Sequence, residues 1–168
     1  MKNLYRSVYL LAVALSASGA NAGTATGTFQ VTGTVVSSCN VSGTLLNFGA
    51  AIDPLSSAVP IDASSTLTVQ CTNTTPYSVA LDAGTNAGGA SSFATRAMKN
   101  GAYTLGYQLY LNAGRSSIWG DGTGGSAPAT GTGTGSSQTL TIYGRLPTLG
   151  STVVPGTYTD TVTVTITY

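Results

Sequence analysis

Runs that alternate apolar and polar residues recur along this chain, and none repeats convincingly at the 3.6-residue period of a helix. "SSTLTVQC" sets Leu67, Val69 and Cys71 on one face and Thr66, Thr68 and Gln70 on the other. "PYSVALDAG" does the same with Tyr77, Val79 and Leu81, "AYTLGYQLYL" with Tyr103, Leu105, Tyr107, Leu109 and Leu111, and "QTLTIYGRL" with Leu140, Ile142, Gly144 and Leu146. The chain closes on "GTYTDTVTVTITY", which aligns Tyr158, Val162, Val164, Ile166 and Tyr168 against a face of threonines. Turn-forming clusters such as "DPLSS", "TNTTP" and "PTLGSTVVPG" separate these runs. Half-buried strands divided by Gly, Pro and Ser turns predict an all-β protein, an antiparallel β-sandwich. The Gly/Thr/Ser tract from Gly120 to Ser137 reads as an exposed loop within one domain, because a strong strand pattern follows it.

The N-terminus carries two signals. Met1, Lys2 and Arg6 make a positive start, "VYLLAVAL" (Val8 to Leu15) is a short apolar stretch, and Ala20-Asn21-Ala22 supplies small residues for cleavage. That run is too short to span a bilayer, so residues 1–22 are expected to be a secretion signal. The remaining chain, 23–168, then opens on "TATGTFQVTGTVV", where Ala25, Gly27, Phe29, Val31, Gly33 and Val35 alternate with polar residues. Termini are commonly loose tails. This one has a strand pattern with no preceding turn to fold it back. On periodicity alone it could equally be the first strand of a complete sandwich.

Charge is sparse. After the signal there remain Arg96, Lys99, Arg115 and Arg145 against Asp53, Asp62, Asp82, Asp121 and Asp160, a net charge of −1. Such a balance steers neither nucleic acid nor an anionic membrane, and no membrane insertion is expected. The chain has no His and no Glu, which rules out a Ser-His-Asp triad and imidazole metal ligation. The scattered aspartates make no paired-carboxylate site by pattern. "WGDGT" offers one carboxylate, far short of a calcium loop, and reads as a turn with Trp119 packed beside it. Neither an enzyme nor a cofactor or metal is expected. Cys39 and Cys71 are the only cysteines, and in an exported chain they are expected to form one disulfide, the alternative being two free buried thiols.

Several stretches fall in a known order: "SSCNV" around Cys39, "TLTVQC" ending at Cys71, "RAMKNG", "YTLGYQLYLNAG", "IWGDGTG", "GTGSSQTLTIYGRLP" and "PGTYTDTVTVTITY". Together they resemble the spore coat protein U domain, which includes the Csu-type fimbrial subunits of the archaic chaperone–usher pathway. The likeness runs over nearly all of the chain after the signal. It implies an incomplete immunoglobulin-like sandwich that lacks its last strand. A periplasmic chaperone would lend that strand until an outer-membrane usher exchanges it for the N-terminal segment of the next subunit. The resemblance thus makes residues 23–33 a donor strand, with Ala25, Gly27, Phe29 and Val31 facing a neighbour's groove, and residues 34–168 the body. The body's first strand is expected to run to Cys39.

In related pilins the C-terminal strand borders the groove and the chaperone, and the matching positions here are Tyr158, Val162, Val164, Ile166 and Tyr168. Arg96 and Asp160 lie inside the shared motifs and are expected to make a surface ion pair or a turn contact. The resulting reading is a structural pilus subunit, forming a head-to-tail homopolymer or pairing with related pilins in surface fimbriae for adhesion and biofilm formation. Its rivals are a secreted spore or cell-surface coat protein of the same fold and a carbohydrate-binding adhesive module using Trp119. A hydrolase has the least support.

Overall fold

The computed structural model describes residues 19, 22–56 and 60–168. The expected signal lies almost wholly outside the described residues. The chain divides after Thr34 into two units, and each is taken by itself. In the first, residues 22–34 are exposed and belong to no strand.

The second unit, Val35–Tyr168, is built from antiparallel strands, with no α-helix among the described residues. The strands are β1 (Cys39–Gly43), β2 (Ile61–Cys71), β3 (Pro76–Leu81), β4 (Ala97–Asn100), β5 (Tyr103–Gly106), β6 (Gln108–Tyr110), β7 (Ala129–Thr132), β8 (Gln138–Leu146) and β9 (Val164–Thr167). One sheet has the order β1-β2-β8-β6, a second has β7-β3-β9, and β4 and β5 form a hairpin. Long β2 is the frame of the first sheet. It pairs with β1 on one side, Cys39 opposite Cys71, and with β8 on the other, Ile61 opposite Leu146.

Alternation decides what fills the core, because successive side chains leave a strand on opposite faces. Leu67 and Val69 of β2, Val79 and Leu81 of β3, and Leu146 of β8 are at most 1% exposed. The intervening Thr68 and Gln70 face water. Cys39 and Cys71 are bonded to each other, fixing the first residue of β1 to the last of β2.

Four expectations need correction. The first strand begins at Cys39 rather than ending there, because the ladder with β2 runs from Cys39 to Gly43. The run Tyr103–Leu111 is not one strand facing one core. It changes partner near Tyr107, whose N–H still bonds Arg96 O at 3.0 Å, while Gln108 opposes Arg145 of β8. Tyr103, at the hairpin's tip, is therefore 53% exposed. The C-terminal run is a strand only from Val164. Lastly, the Gly/Thr/Ser tract is not all loop, since β7 within it pairs with β3. Its glycines permit that approach: a Cβ on Gly131 would lie 2.5 Å from the Tyr77 ring, and one on Gly133 would collide with Thr72 O.

The disulfide closes a loop with a sequence separation of 32. On the chain-entropy relation that closure contributes roughly 3–4 kcal/mol. The double variant Cys39→Ser/Cys71→Ser should lose about that much stability in denaturant unfolding; an unchanged midpoint and slope would contradict it.

Candidate functional site

Strand β1 ends the first sheet and β9 ends the second, and neither has a partner on its outer side among the described residues. Past Thr44, whose N–H bonds Thr66 O at 3.0 Å, the chain leaves the ladder. Leu46 and Phe48 then pack on the core, and Leu45 stays 84% exposed at the rim. Opposite runs the segment from Tyr158 to Val164. Between them lies a cleft of about 530 Å³, with Leu67, Leu81, Tyr107 and Ile142 among its lining residues. A second cleft of about 680 Å³ continues it past Met98, Leu105, Leu146 and Leu149. Leu45, Leu46, Phe48, Met98 and Tyr158 line both, so the two form one apolar groove.

The far wall is partly set like a strand edge. Thr159 exchanges both backbone bonds with Lys99 (2.9 and 3.0 Å), Thr161 O accepts from Thr85 N at 3.1 Å, and Thr163 O accepts from Asp82 N at 3.0 Å. Backbone groups of successive strand residues point to opposite edges. Within β9 that phase turns the N–H and C=O of Val164 and Ile166 toward the side that has no strand partner among the described residues. The groove thus offers apolar side chains and an open row of backbone donors and acceptors. Such an edge is a template for another strand.

Of the expected groove residues, Tyr158, Val162 and Val164 line the clefts and Ile166 packs half-buried against the core. Tyr158 OH donates to Val154 O at 2.8 Å. Tyr168 is 55% exposed and is not among the lining residues. The expected donor residues Ala25, Gly27, Phe29 and Val31 are all exposed, Phe29 at 88% and Val31 at 80%. The near wall, Leu45 to Ile52, was not anticipated. Its sequence signal is slight, only Leu46 and Phe48 two residues apart.

The expectation of a surface contact at Arg96 is wrong. Arg96 is 1% exposed. Its Nη2 donates to Asp82 O (2.6 Å) and Trp119 O (2.8 Å), and its Nη1 donates to Gln108 Oε1 (2.9 Å). The Phe93 ring centroid lies 5.3 Å from its guanidinium carbon. Burial lowers its pKa, opposed by Tyr107, Asp82 and Asp160 nearby, yet arginine stays charged even so. Asp160 has no ion pair among the described residues but does make the turn contact expected as the alternative, to Thr85 and Asn86. Its Oδ2 accepts from Tyr107 OH at 2.6 Å, and its Oδ1 accepts from Thr85 Oγ1, Asn86 Nδ2 and Thr161 N at 2.8–2.9 Å. Burial first, then the bond to Asp160, pushes the Tyr107 phenol far above its ordinary range, so it remains a donor.

Trp119 is 1% exposed and its indole N–H donates to Val79 O at 2.9 Å, so it presents no face to a sugar. No group of three or more metal-ligating side chains occurs among the described residues.

Comparison with known proteins agrees with the resemblance. The Spore Coat Protein U domain matches residues 25–165. "Protein U" of Myxococcus xanthus is 35% identical over 180 aligned residues, covering 100% of this chain and 98% of that protein. Among solved structures, the chain superposes with a TM-score of 0.57 and 25% identity on the CsuC–CsuE chaperone–tip adhesion subunit pre-assembly complex from archaic chaperone–usher Csu pili of Acinetobacter baumannii. The match covers 80% of this chain and 40% of the matched one, so this chain spans less than half its length.

Truncating a buried tryptophan leaves a large cavity and costs about 3–5 kcal/mol. Trp119→Ala should therefore lower the melting temperature steeply; a stable variant that had lost only sugar binding would contradict this placement.

Proposed function

This chain belongs to the spore coat protein U domain family, a structural and non-enzymatic one, and from that premise we propose that it is a pilus subunit that polymerises by donor-strand exchange. The observation that carries the reading is the groove between β1 and β9, apolar within and unpaired along its edges. The fold is then an immunoglobulin-like sandwich one strand short.

The segment 23–33 of a neighbouring subunit supplies the missing strand. Its backbone pairs with the open edge while Phe29, Val31 and the small Ala25 and Gly27 face the groove, the β-augmentation mode. Each large apolar side chain so buried is worth about 1.5–3 kcal/mol. Phe29 and Val31, left in water within a single chain, have that much to gain. Giving at one end and receiving at the other is a heterologous contact that does not close, so it builds a filament. Before assembly a periplasmic chaperone covers the same groove, and an outer-membrane usher mediates the exchange; the chaperone complex of the Csu neighbour supports the chaperone's part in this reading. The fibre serves attachment and biofilm formation at the cell surface. A coat protein of the same fold is the second reading, favoured by the likeness to Protein U.

Deleting residues 23–30 after the signal should leave a subunit that accepts a strand and gives none. It cannot join a growing end, which takes the incoming chain's strand, so expressed alone it should form no filaments by electron microscopy. The variant Val164→Asp, altered in the groove, should do the reverse, giving but not accepting, and so should cap growing fibres and shorten them when co-expressed with the intact chain. Fibres of normal length from the deletion variant alone would defeat the proposal.

A further inference from the structure

The wall of the groove that would receive the strand is not a regular strand where it matters most. From Tyr158 to Thr163 the chain lies outside β9; among the described residues it has one bridge, Thr159 with Lys99, and two single backbone bonds, from Thr85 N to Thr161 O and from Asp82 N to Thr163 O. A wall without a continuous ladder must be held some other way, or it sags into the open groove or peels from it.

Two carboxylates hold it. Asp82 Oδ1 accepts from Thr163 N and from Gly84 N, both at 2.9 Å. Asp160, itself in the wall, reaches back and is bonded by Thr85, Asn86, Thr161 and Tyr107. Asn86 Nδ2 also donates to Thr159 O at 3.2 Å. Space for the second carboxylate is reserved by Gly84 at φ +87°, where a Cβ would collide with Asp160 Oδ2. Tyr107 ties this staple to the groove itself, since its ring lines the cleft and lies against Phe48 of the near wall, with centroids 6.4 Å apart. Behind both carboxylates sits the buried cation of Arg96, which bonds the Asp82 carbonyl. In a chain so poor in charge, three charged residues gather at one wall.

We propose that Asp160 and Asp82, with Tyr107 and Arg96, are positioning residues that keep the Tyr158–Thr163 wall in the geometry that accepts an incoming strand. This rests on the donor-strand reading and assigns one task to Asp82 and Arg96, which do not line that cleft, and to Asp160 and Tyr107, which do. If a loosened wall is competent about one tenth of the time, the apparent affinity drops about tenfold, and the loss appears in the association rate.

The test uses the full chain after the signal and a labelled peptide of sequence 24–36, with association and dissociation followed separately. Backbone amide exchange is read in parallel. Tyr107→Phe removes one hydroxyl from the staple, and Asp160→Ala removes its centre; if the latter does not fold, the former carries the test. The expected result is association about tenfold slower with dissociation little changed, and faster exchange at Thr159, Thr161 and Thr163 while Leu67, Val69 and Ile142 stay protected. Peptide binding to the variants as fast as to the wild type would overturn this inference and leave the donor-strand reading standing. Exchange raised throughout β2 and β8 would also overturn it, marking a general scaffold role. No binding to the wild type would overturn both.

Discussion

Two antiparallel sheets that end in neighbouring open edges leave the apolar residues at those edges short of cover. β1 ends one sheet and β9 the other, and between them Tyr158, Val162 and Val164 stay half-buried over a floor that includes the buried Leu67 and Leu81. The other features of the body follow from that gap. Phe48 and Leu46 fold over it from the near side. Tyr158, Val162 and Ile166 remain half-buried, since among the described residues no further strand covers them. The threonine-rich opposite faces keep the rest of a weakly charged surface wet.

The charge the chain does carry is placed with purpose. Asp62 on β2 lies between Arg145 (2.7 Å) and Arg115 (3.1 Å) on the outside of the first sheet. Its exposed position limits such a network to a modest contribution. Arg96 differs in kind. It is fully buried, bonded to two carbonyls and an amide, and close to two carboxylates it does not touch. Removing one member of such a cluster leaves a buried charge without compensation. The cluster joins the Trp119 region to the groove wall, so packing at the centre and geometry at the edge are one problem.

Most of the fold was legible because the pleat has period two. Leu67, Val69 and Cys71, Tyr77, Val79 and Leu81, and Ile142 and Leu146 are buried as their alternation implies. What escaped were features that alternation does not encode. A ladder starts where a partner is, so the register of Cys39 with Cys71 placed β1 later than the apolar pattern did. Gly131 and Gly133 look like loop residues, yet their lack of a side chain is what lets β7 approach Tyr77 and Thr72. Arg96 is charged, and a charged residue is read as exposed unless its partners are known; those partners are carbonyls and an amide, which carry no sequence signature. The near wall was missed for a similar reason, since Leu46 and Phe48 alternate too briefly to stand out.

On the proposed reading, one chain cannot finish this body and another chain does. Fibres purified from cells and run in denaturing detergent without heating should give a ladder of multimers, because an exchanged strand is released only when the host body unfolds. Boiling should collapse the ladder to the single chain. A lone-chain band without heating, from fibres intact under the microscope, would contradict strand exchange and leave the groove without its proposed occupant.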